Sequence, residues 1–482
     1  MVVAALAYTR TLAPGVTWAN SGLDSGDLLT AVVTGGVPHP SGYPTYLLLA
    51  ELFLLLPIPD HAVAVTLLSS VAATLTALTV YDMIWSWGAP APQRLVAAFL
   101  AALAFALSPL FWSQAVIAEV YCLNTLFAAL LLRATLARTR GTLVSPVRVA
   151  LTSTIAGIAL GNHLTIVPIA LAWLFAASYA DGMFRLRLLA RQIVWANVGT
   201  LVYLTLPLRA AAAPAVSWGG AAQWDGFWWL VTGRLYAGLA FGLSAGDLPG
   251  RITGVAALLV AQFGWVGLVL GCYGLMFCCA RSRGAFWMTV VPAACAVVFA
   301  VGYNSADSQV YVLPTILVFA LWIGFGIADL LGQAVFTSPR RGGLAVAALA
   351  VGLLWHVPFT ARIVDASQDR RAITYARAVM DATPREALIV TSADRDTFPL
   401  WYYHFALGER PDLTIVVAPL LGFAWYRGNL QAAYPTLHIP TSAPVGWETA
   451  LLAGRSASLP LCRTILDPTP HLTCVGGLES KP

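Results

Sequence analysis

The chain has 482 residues, of which 59% are hydrophobic and only 10% charged, and its mean hydropathy is +0.76. So little polar surface excludes a water-soluble globular protein of this size and marks an integral membrane protein. The net charge of +5 is almost all arginine, with Lys481 the sole lysine; the skew reads as base composition, and no nucleic-acid partner is expected. The seven cysteines lack metal-ligand spacing, and Cys462 with Cys474 is a candidate disulfide if that segment faces an oxidising compartment.

A hydrocarbon core about 30 Å thick needs roughly 20 apolar residues per helical span. About ten such stretches precede residue 362, which predicts a polytopic α-helical domain over 1–362 with about 10–11 transmembrane helices. Residues 365–482 have ordinary globular composition and read as a soluble α/β domain. Met1–Tyr8 is apolar but too short to span, so either the residues after it finish the first helix or the assigned start truncates it. No cleavable signal peptide is visible.

The first external loop, about 11–44, concentrates polarity in WANSGLDSGDLLTAVVTGGVPHPSGYPTY. Asp24-Ser25-Gly26-Asp27 reads as a helix start, followed by an apolar face of Leu28, Leu29, Val32 and Val33. This predicts a short amphipathic helix along the interface, its carboxylates aimed at a cavity. Further apolar runs lie at 45–56, 61–84, 95–111, 114–136, 149–178, 192–207, 252–280, 285–302, 310–333 and 343–361. The run 149–178 is interrupted at Gly161-Asn162-His163 and reads as one span or two shorter pieces.

Basic loops (Arg185, Arg187, Arg191; Arg281, Arg283; Arg340, Arg341) alternate with aromatic, polar ones (208–250; 303–309). The positive-inside rule places the latter, and the C-terminal domain, outside the cytoplasm. The loop with Arg138, Arg140 and Arg148 fits this only if 149–178 is split. In the C-terminal part, Ile373–Met380 and Phe398–Leu407 read as helices. Ala387–Thr391 and Leu413–Val417 read as parallel strands. Asp394-Arg395-Asp396 sits at the first strand's end, where open α/β sheets bind ligands, although Asp396 before Thr397 is equally a helix cap.

Ionisable groups within or beside spans are costly and therefore candidates for function. Here they are Asp24, Asp27, His39, Glu119, His163, Arg209, Arg234 and Asp307. Tyr121 and Asn124 share a helix side with Glu119, in a cluster that would equally serve to pack two helices. Trp218, Trp224, Trp228, Trp229, Arg234 and Tyr236 form either an interfacial belt or a sugar platform beside a phosphate clamp. Moving a sugar from phosphate to a hydroxyl needs a carboxylate base and a cation near the leaving charge. Asp24 or Asp27 supplies the first, Arg234 or Arg209 the second. Two carboxylates would also suit a divalent metal, but a DxxD spacing is weak evidence for one.

Four blocks, Thr11-Leu-Ala-Pro14, Asp24-Ser-Gly-Asp27, His39-Pro-Ser-Gly-Tyr-Pro44 and Ala118-Glu-Val-Tyr-Cys-Leu-Asn124, resemble the membrane family known as domain of unknown function 2723, the transmembrane protein 260-like O-mannosyltransferases. Leu206-Pro-Leu208, Trp218-Gly219, Asp307 with Tyr311 to Pro314, and Asp394 to Trp401 are similar to later blocks of bacterial members. The resemblance implies a GT-C glycosyltransferase with a catalytic acid in the first external loop and a polyprenyl-phosphate sugar as donor. Asp27 stands where a glutamate is common in the family, so either aspartate could be the base.

The expected function is an inverting, mannose-like transfer to an extracytoplasmic hydroxyl on a protein, lipid or glycan, by a multi-pass protein of the cell membrane. Asp24 and Asp27 are the candidate catalytic residues. His39, Tyr43, Glu119, Tyr121, Asn124, His163, Trp218, Arg234 and Asp307 are the candidate binding residues. The competing readings are a lipid or solute transporter, against which the absence of related halves speaks, and a non-catalytic assembly protein.

Overall fold

The structure is a computed structural model that describes residues 1–141, 145–180, 182–333, 338–443, 445–454, 460–465 and 471–475. The apolar stretches fold as helices because a backbone in hydrocarbon must satisfy its hydrogen bonds internally. Among the described residues six helices are long and apolar enough to cross a membrane: His61–Trp85, Leu186–Ala211, Leu248–Arg281, Arg283–Gly302, Ser308–Gly332 and Pro339–Val364. Pro92–Ala106 and Pro109–Ala115 form a pair bent by 65°, a seventh crossing if taken together. Pro44–Leu54, Pro146–Leu160 and Leu164–Ser178 are shorter apolar helices, and Tyr121–Thr139 is a helix of 19 residues. The predicted apolar segments are thus all helical, several of them short or broken.

The breaks have local causes. Ser108 is extended and precedes Pro109, because a proline disfavours helical geometry in the residue before it. The run 149–178 takes the split form. Gly161 accepts the Thr45 N–H at 3.0 Å, and a Cβ there would lie 2.6 Å from Val202 Cγ1 and 2.7 Å from Thr45 Oγ1. This split puts the basic loops together. Thr139 Cβ lies 3.4 Å from the Cβ position of Gly284, and Arg138 donates to Tyr179 O at 3.0 Å. Arg138 and Thr139 therefore share a face with Arg185, Arg281 and Arg283.

Among its described residues the C-terminal part has helix Arg371–Ala382 and four strands in the spatial order Thr414–Val417, Leu388–Thr391, Leu461–Ile465, His471–Val475. The predicted pair is parallel, with Leu388 opposite Thr414. The third strand is also parallel and the fourth antiparallel; neither was expected from the sequence. Cys462 and Cys474, opposite each other on these two strands, form a disulfide. The predicted second helix begins earlier, at Asp394, and runs to Trp401, continuing as a wider turn over Tyr402–Ala406.

This α/β part is packed onto the first loop. One hydrophobic core runs from the membrane helices into the sheet. Asp369 Oδ2 accepts from Thr17 Oγ1 at 2.6 Å, the Trp18 N–H at 3.1 Å and the Ala19 N–H at 2.7 Å. The helix expected along the interface is Ser25–Thr34, but it is not half-solvated. Ser25 to Val32 are all buried, because helix Asp394–Trp401 covers them. At Gly26 an added Cβ would meet Phe398 O at 2.5 Å, so glycine is what permits the contact.

Candidate active site

Helix Ser25–Thr34 ends at Gly35 in the left-handed conformation, φ 67°, which turns the chain back along the helix. Val37 then bridges to Ser217: its N–H donates to Val216 O and its carbonyl accepts the Trp218 N–H, both at 3.0 Å. That pairing brings His39 and Trp218 to Asp27. Asp27 is fully buried and accepts three hydrogen bonds. Its Oδ2 takes the His39 backbone N–H at 2.9 Å and His39 Nδ1 at 2.7 Å; its Oδ1 takes Trp218 Nε1 at 3.1 Å.

The second ring nitrogen of His39, Nε2, lies 3.0 Å from the Tyr43 hydroxyl, which itself donates to Pro40 O at 3.0 Å. The hydroxyl therefore accepts from Nε2–H, and both ring protons have acceptors. Electrostatics agree with a doubly protonated ring. Burial alone would lower the His39 pKa, but the Asp24 charge, then the hydrogen bond and charge of Asp27, raise it to about 9. At neutral pH this is an imidazolium.

Asp24 has the opposite setting. Its Oδ2 is 3.6 Å from His39 Nε2, and its side chain keeps 32% of its exposure, open to a cavity of about 1480 Å³. Burial raises its pKa, His39 opposes this, and Asp27 and Asp307 add to the rise. The result is a basic carboxylate, steadied by one neighbouring cation and facing open space.

The same cavity is bordered by His39, Tyr43, Tyr121, His163 and Asp307 of the sequence candidates. The Tyr43 ring stacks on His163 with centroids 6.1 Å apart, and Tyr121 lies 5.6 Å from His163. Asp307 accepts from Ser305 Oγ. Other candidates stand behind the wall. Trp218 is buried against Asp27 and packs on Trp425 and Trp401, so it anchors the carboxylate and does not form a platform. Glu119 is buried, its carboxylate receiving the Val120 N–H at 3.3 Å. Asn124 donates to Thr165 Oγ1 at 3.1 Å, beside His163 Nδ1 at 2.8 Å from the same hydroxyl.

The arginines nominated for phosphate are elsewhere. Arg209 is paired with Glu51 at 2.5 Å, and Arg234 is exposed and does not border the cavity. The guanidinium groups that do border it are Arg371 and Arg395. Arg371 is held by Asp369 at 2.6 Å. Arg395 lies 4.5 Å over the Trp18 ring and has no ion-pair partner among the described residues. Asp394 borders the cavity beside it; burial within the protein and the Asp24 charge outweigh His39 and push its pKa up to about 7.

The Asp394-Arg-Asp block thus divides its two expected roles. Asp396 caps its helix, accepting from the N–H groups of Ser392 at 3.1 Å and Ala393 at 2.8 Å, while Asp394 and Arg395 face the cavity. The strand-end position was the signal for these two; Asp369 had none. Among the described residues no three His, Cys, Asp or Glu side chains are arranged to hold a metal ion. The far wall is apolar: Trp287, Val290, Val291, Ala294 and Val298 line it from one face of helix Arg283–Gly302.

Two family models match the chain: the protein O-mannosyl-transferase TMEM260 N-terminal domain over residues 24–182 and the TMEM260-associated domain 2 over residues 372–446. The mouse protein O-mannosyl-transferase TMEM260 is 27% identical over 458 residues, 87% of this chain and 62% of that protein. Its Dictyostelium discoideum counterpart is 23% identical, covering 90% of this chain and 58% of the relative. The chain therefore spans about three-fifths of the length of these relatives. Among solved structures, ArnT from Cupriavidus metallidurans bound to undecaprenyl phosphate superposes with a TM-score of 0.58 at 13% identity, covering 92% of this chain and 95% of that one. The Archaeoglobus fulgidus oligosaccharyltransferase gives 0.52 at 14% identity, covering 84% and 63%. These likenesses are ones of fold, and the fold is of the expected GT-C type.

Proposed function

We propose that the chain, which matches TMEM260 family models over residues 24–182 and 372–446 and is similar to protein O-mannosyl-transferases of that name, is a membrane glycosyltransferase. It moves a mannose-like sugar from a polyprenyl phosphate to a hydroxyl acceptor. The relatives' name favours a protein hydroxyl, ahead of lipid or glycan. The observation that carries the reading is Asp24, a carboxylate open to a large cavity whose floor is acidic and whose far wall is apolar.

In the proposed step Asp24 takes the proton of the acceptor hydroxyl as its oxygen attacks the anomeric carbon. The bond from that carbon to the phosphate oxygen breaks, its electron pair leaves with the phosphate, and the configuration inverts. Phosphate leaves readily, so no general acid is required. Arg395 faces the departing charge. Asp27 is a positioning residue: it fixes the His39 imidazolium, which in turn places Asp24. The tyrosines and His163 flank the sugar, and the exposed face of helix Arg283–Gly302 takes the isoprenoid tail, as suits a fold shared with a protein that binds undecaprenyl phosphate.

The positive-inside rule, applied to the single basic face, puts this cavity and the C-terminal part on the extracytoplasmic side. In this reading residues 1–362 form the catalytic membrane domain, and 365–482 close the site and present the acceptor. The test is transfer of labelled sugar from synthetic polyprenyl-phosphate mannose, with glucose as comparison, by purified protein. Label transferred by wild type and lost in Asp24→Asn supports the reading; transfer undiminished in Asp24→Asn overturns it.

A further inference from the structure

At the opposite ends of the membrane helices, on the face that carries the basic loops, lies a second cavity of about 230 Å³. Its apolar walls are Ile84, Phe277 and Phe325, with Trp87 packed on Phe325 at 4.3 Å between centroids. Two charged side chains of opposite sign border it, Arg94 and Asp329. Among the described residues neither forms an ion pair. Arg94 Nη1 is buried without any hydrogen-bond partner, and Asp329 accepts from the Tyr273 hydroxyl.

A buried Nη1–H without an acceptor is costly, and the half-buried Asp329 carboxylate, with a single neutral donor, is left partly unsatisfied. Both costs vanish if one molecule supplies an anion to Arg94 and a cation to Asp329. Arg94 sits in the first turn of helix Pro92–Ala106, so the helix dipole adds to the preference for an anion there. The volume suits a headgroup, while the aromatic walls suit the start of acyl chains. Residues on this face lie at the depth of phospholipid headgroups.

We propose that this cavity binds the headgroup of a zwitterionic phospholipid with a primary ammonium, of the phosphatidylethanolamine kind. Its phosphodiester lies on Arg94 and its ammonium on Asp329, with the amides of Gln93 and Gln333 at the rim. The site is separate from the sugar-transfer cavity and does not depend on what that cavity does. It holds together the ends of four helices, His61–Trp85, Pro92–Ala106, Leu248–Arg281 and Ser308–Gly332, through a ligand and not through a protein ion pair.

The test uses the full chain, purified and exposed to equal amounts of phosphatidylethanolamine, phosphatidylglycerol and phosphatidylcholine, with retained lipids read by native mass spectrometry. Wild type retains phosphatidylethanolamine selectively. Arg94→Gln retains roughly tenfold less, as expected for loss of a charge-assisted hydrogen bond, and Asp329→Asn loses the preference over phosphatidylglycerol. Gly332 borders the cavity and has open space at its Cβ position. Gly332→Leu therefore fills the site without touching either charge and also abolishes retention, which keeps the test decisive if a charge variant folds poorly. Equal retention by wild type and Gly332→Leu, or a wild-type preference for phosphatidylglycerol, overturns the proposal.

Discussion

Replacing Asp27 by asparagine separates the two acids of the first loop. The carboxylate accepts three hydrogen bonds while fully buried. An amide has a single acceptor oxygen, so when that oxygen faces His39, its NH2 group confronts Trp218 Nε1–H. The lost bond and the unpaired donor cost about 1–3 kcal/mol. The charge partner of His39 also goes. Raising an imidazole from 6.5 to about 9 corresponds to about 3 kcal/mol at 1.36 kcal/mol per pH unit, shared among Asp24, Asp27 and Asp394. Asp27→Asn should therefore destabilise the protein by roughly 3–4 kcal/mol near neutral pH.

The pH dependence follows from the direction of the shift. Because the His39 pKa is raised in the folded state, its stabilisation is complete below the unfolded value of 6.5 and is lost as pH rises through about 9. The gap between wild type and Asp27→Asn should shrink over that interval, leaving the hydrogen-bond part. Thermal unfolding of both proteins in detergent between pH 6 and 10 measures it. Asp24→Asn, at a site still 32% exposed, should cost much less stability while reducing transfer about 10²–10⁴-fold. A variant Asp27→Asn that melts like wild type at every pH would refute the assignment, as would transfer surviving in Asp24→Asn while it disappears in Asp27→Asn.

Arg395→Ala should lower kcat/KM for the lipid-linked donor by about 10–100-fold, and Arg371→Ala should do less to donor binding because Asp369 already holds that side chain; steady-state kinetics over donor concentration compares them. Asp394, with its pKa raised to about 7, loses its proton as pH rises through neutrality and then opposes a phosphate in the same cavity. Binding of polyprenyl phosphate should weaken from pH 6 to 8, and Asp394→Asn should flatten that dependence in a direct binding titration. Gly26→Val should lower the melting temperature markedly, since its Cβ would be driven into Phe398 O and overpacking of this kind costs about 1–3 kcal/mol.

Much of the molecule was legible in the order of its residues. Apolar runs long enough for a bilayer become helices wherever they occur, since hydrocarbon offers the backbone no other partner. The β-branched runs Leu388–Thr391 and Thr414–Val417 pair in parallel as expected, and the interruption at Gly161 marks a real break. The polar first loop stood out through its composition alone, and its Asp24, His39 and Tyr43 border the large cavity.

What spacing leaves open is which neighbour covers which residue. Asp24 and Asp27 are equivalent in sequence, and they differ because Trp218, 191 residues away, and helix Asp394–Trp401 close over one and leave the other open. Arg209 and Arg395 are equally good cations on paper; Glu51 neutralises the first, while the strand end delivers the second to the cavity. Trp218 looked like a sugar platform and is an anchor because Val37 bridges to Ser217. The loop itself is held by Asp369, 352 residues from Thr17. Helical periodicity determines the face on which a side chain stands, but burial, charge pairing and pKa depend on what packs against that face. Those contacts join distant parts of the chain and exist only once it has folded.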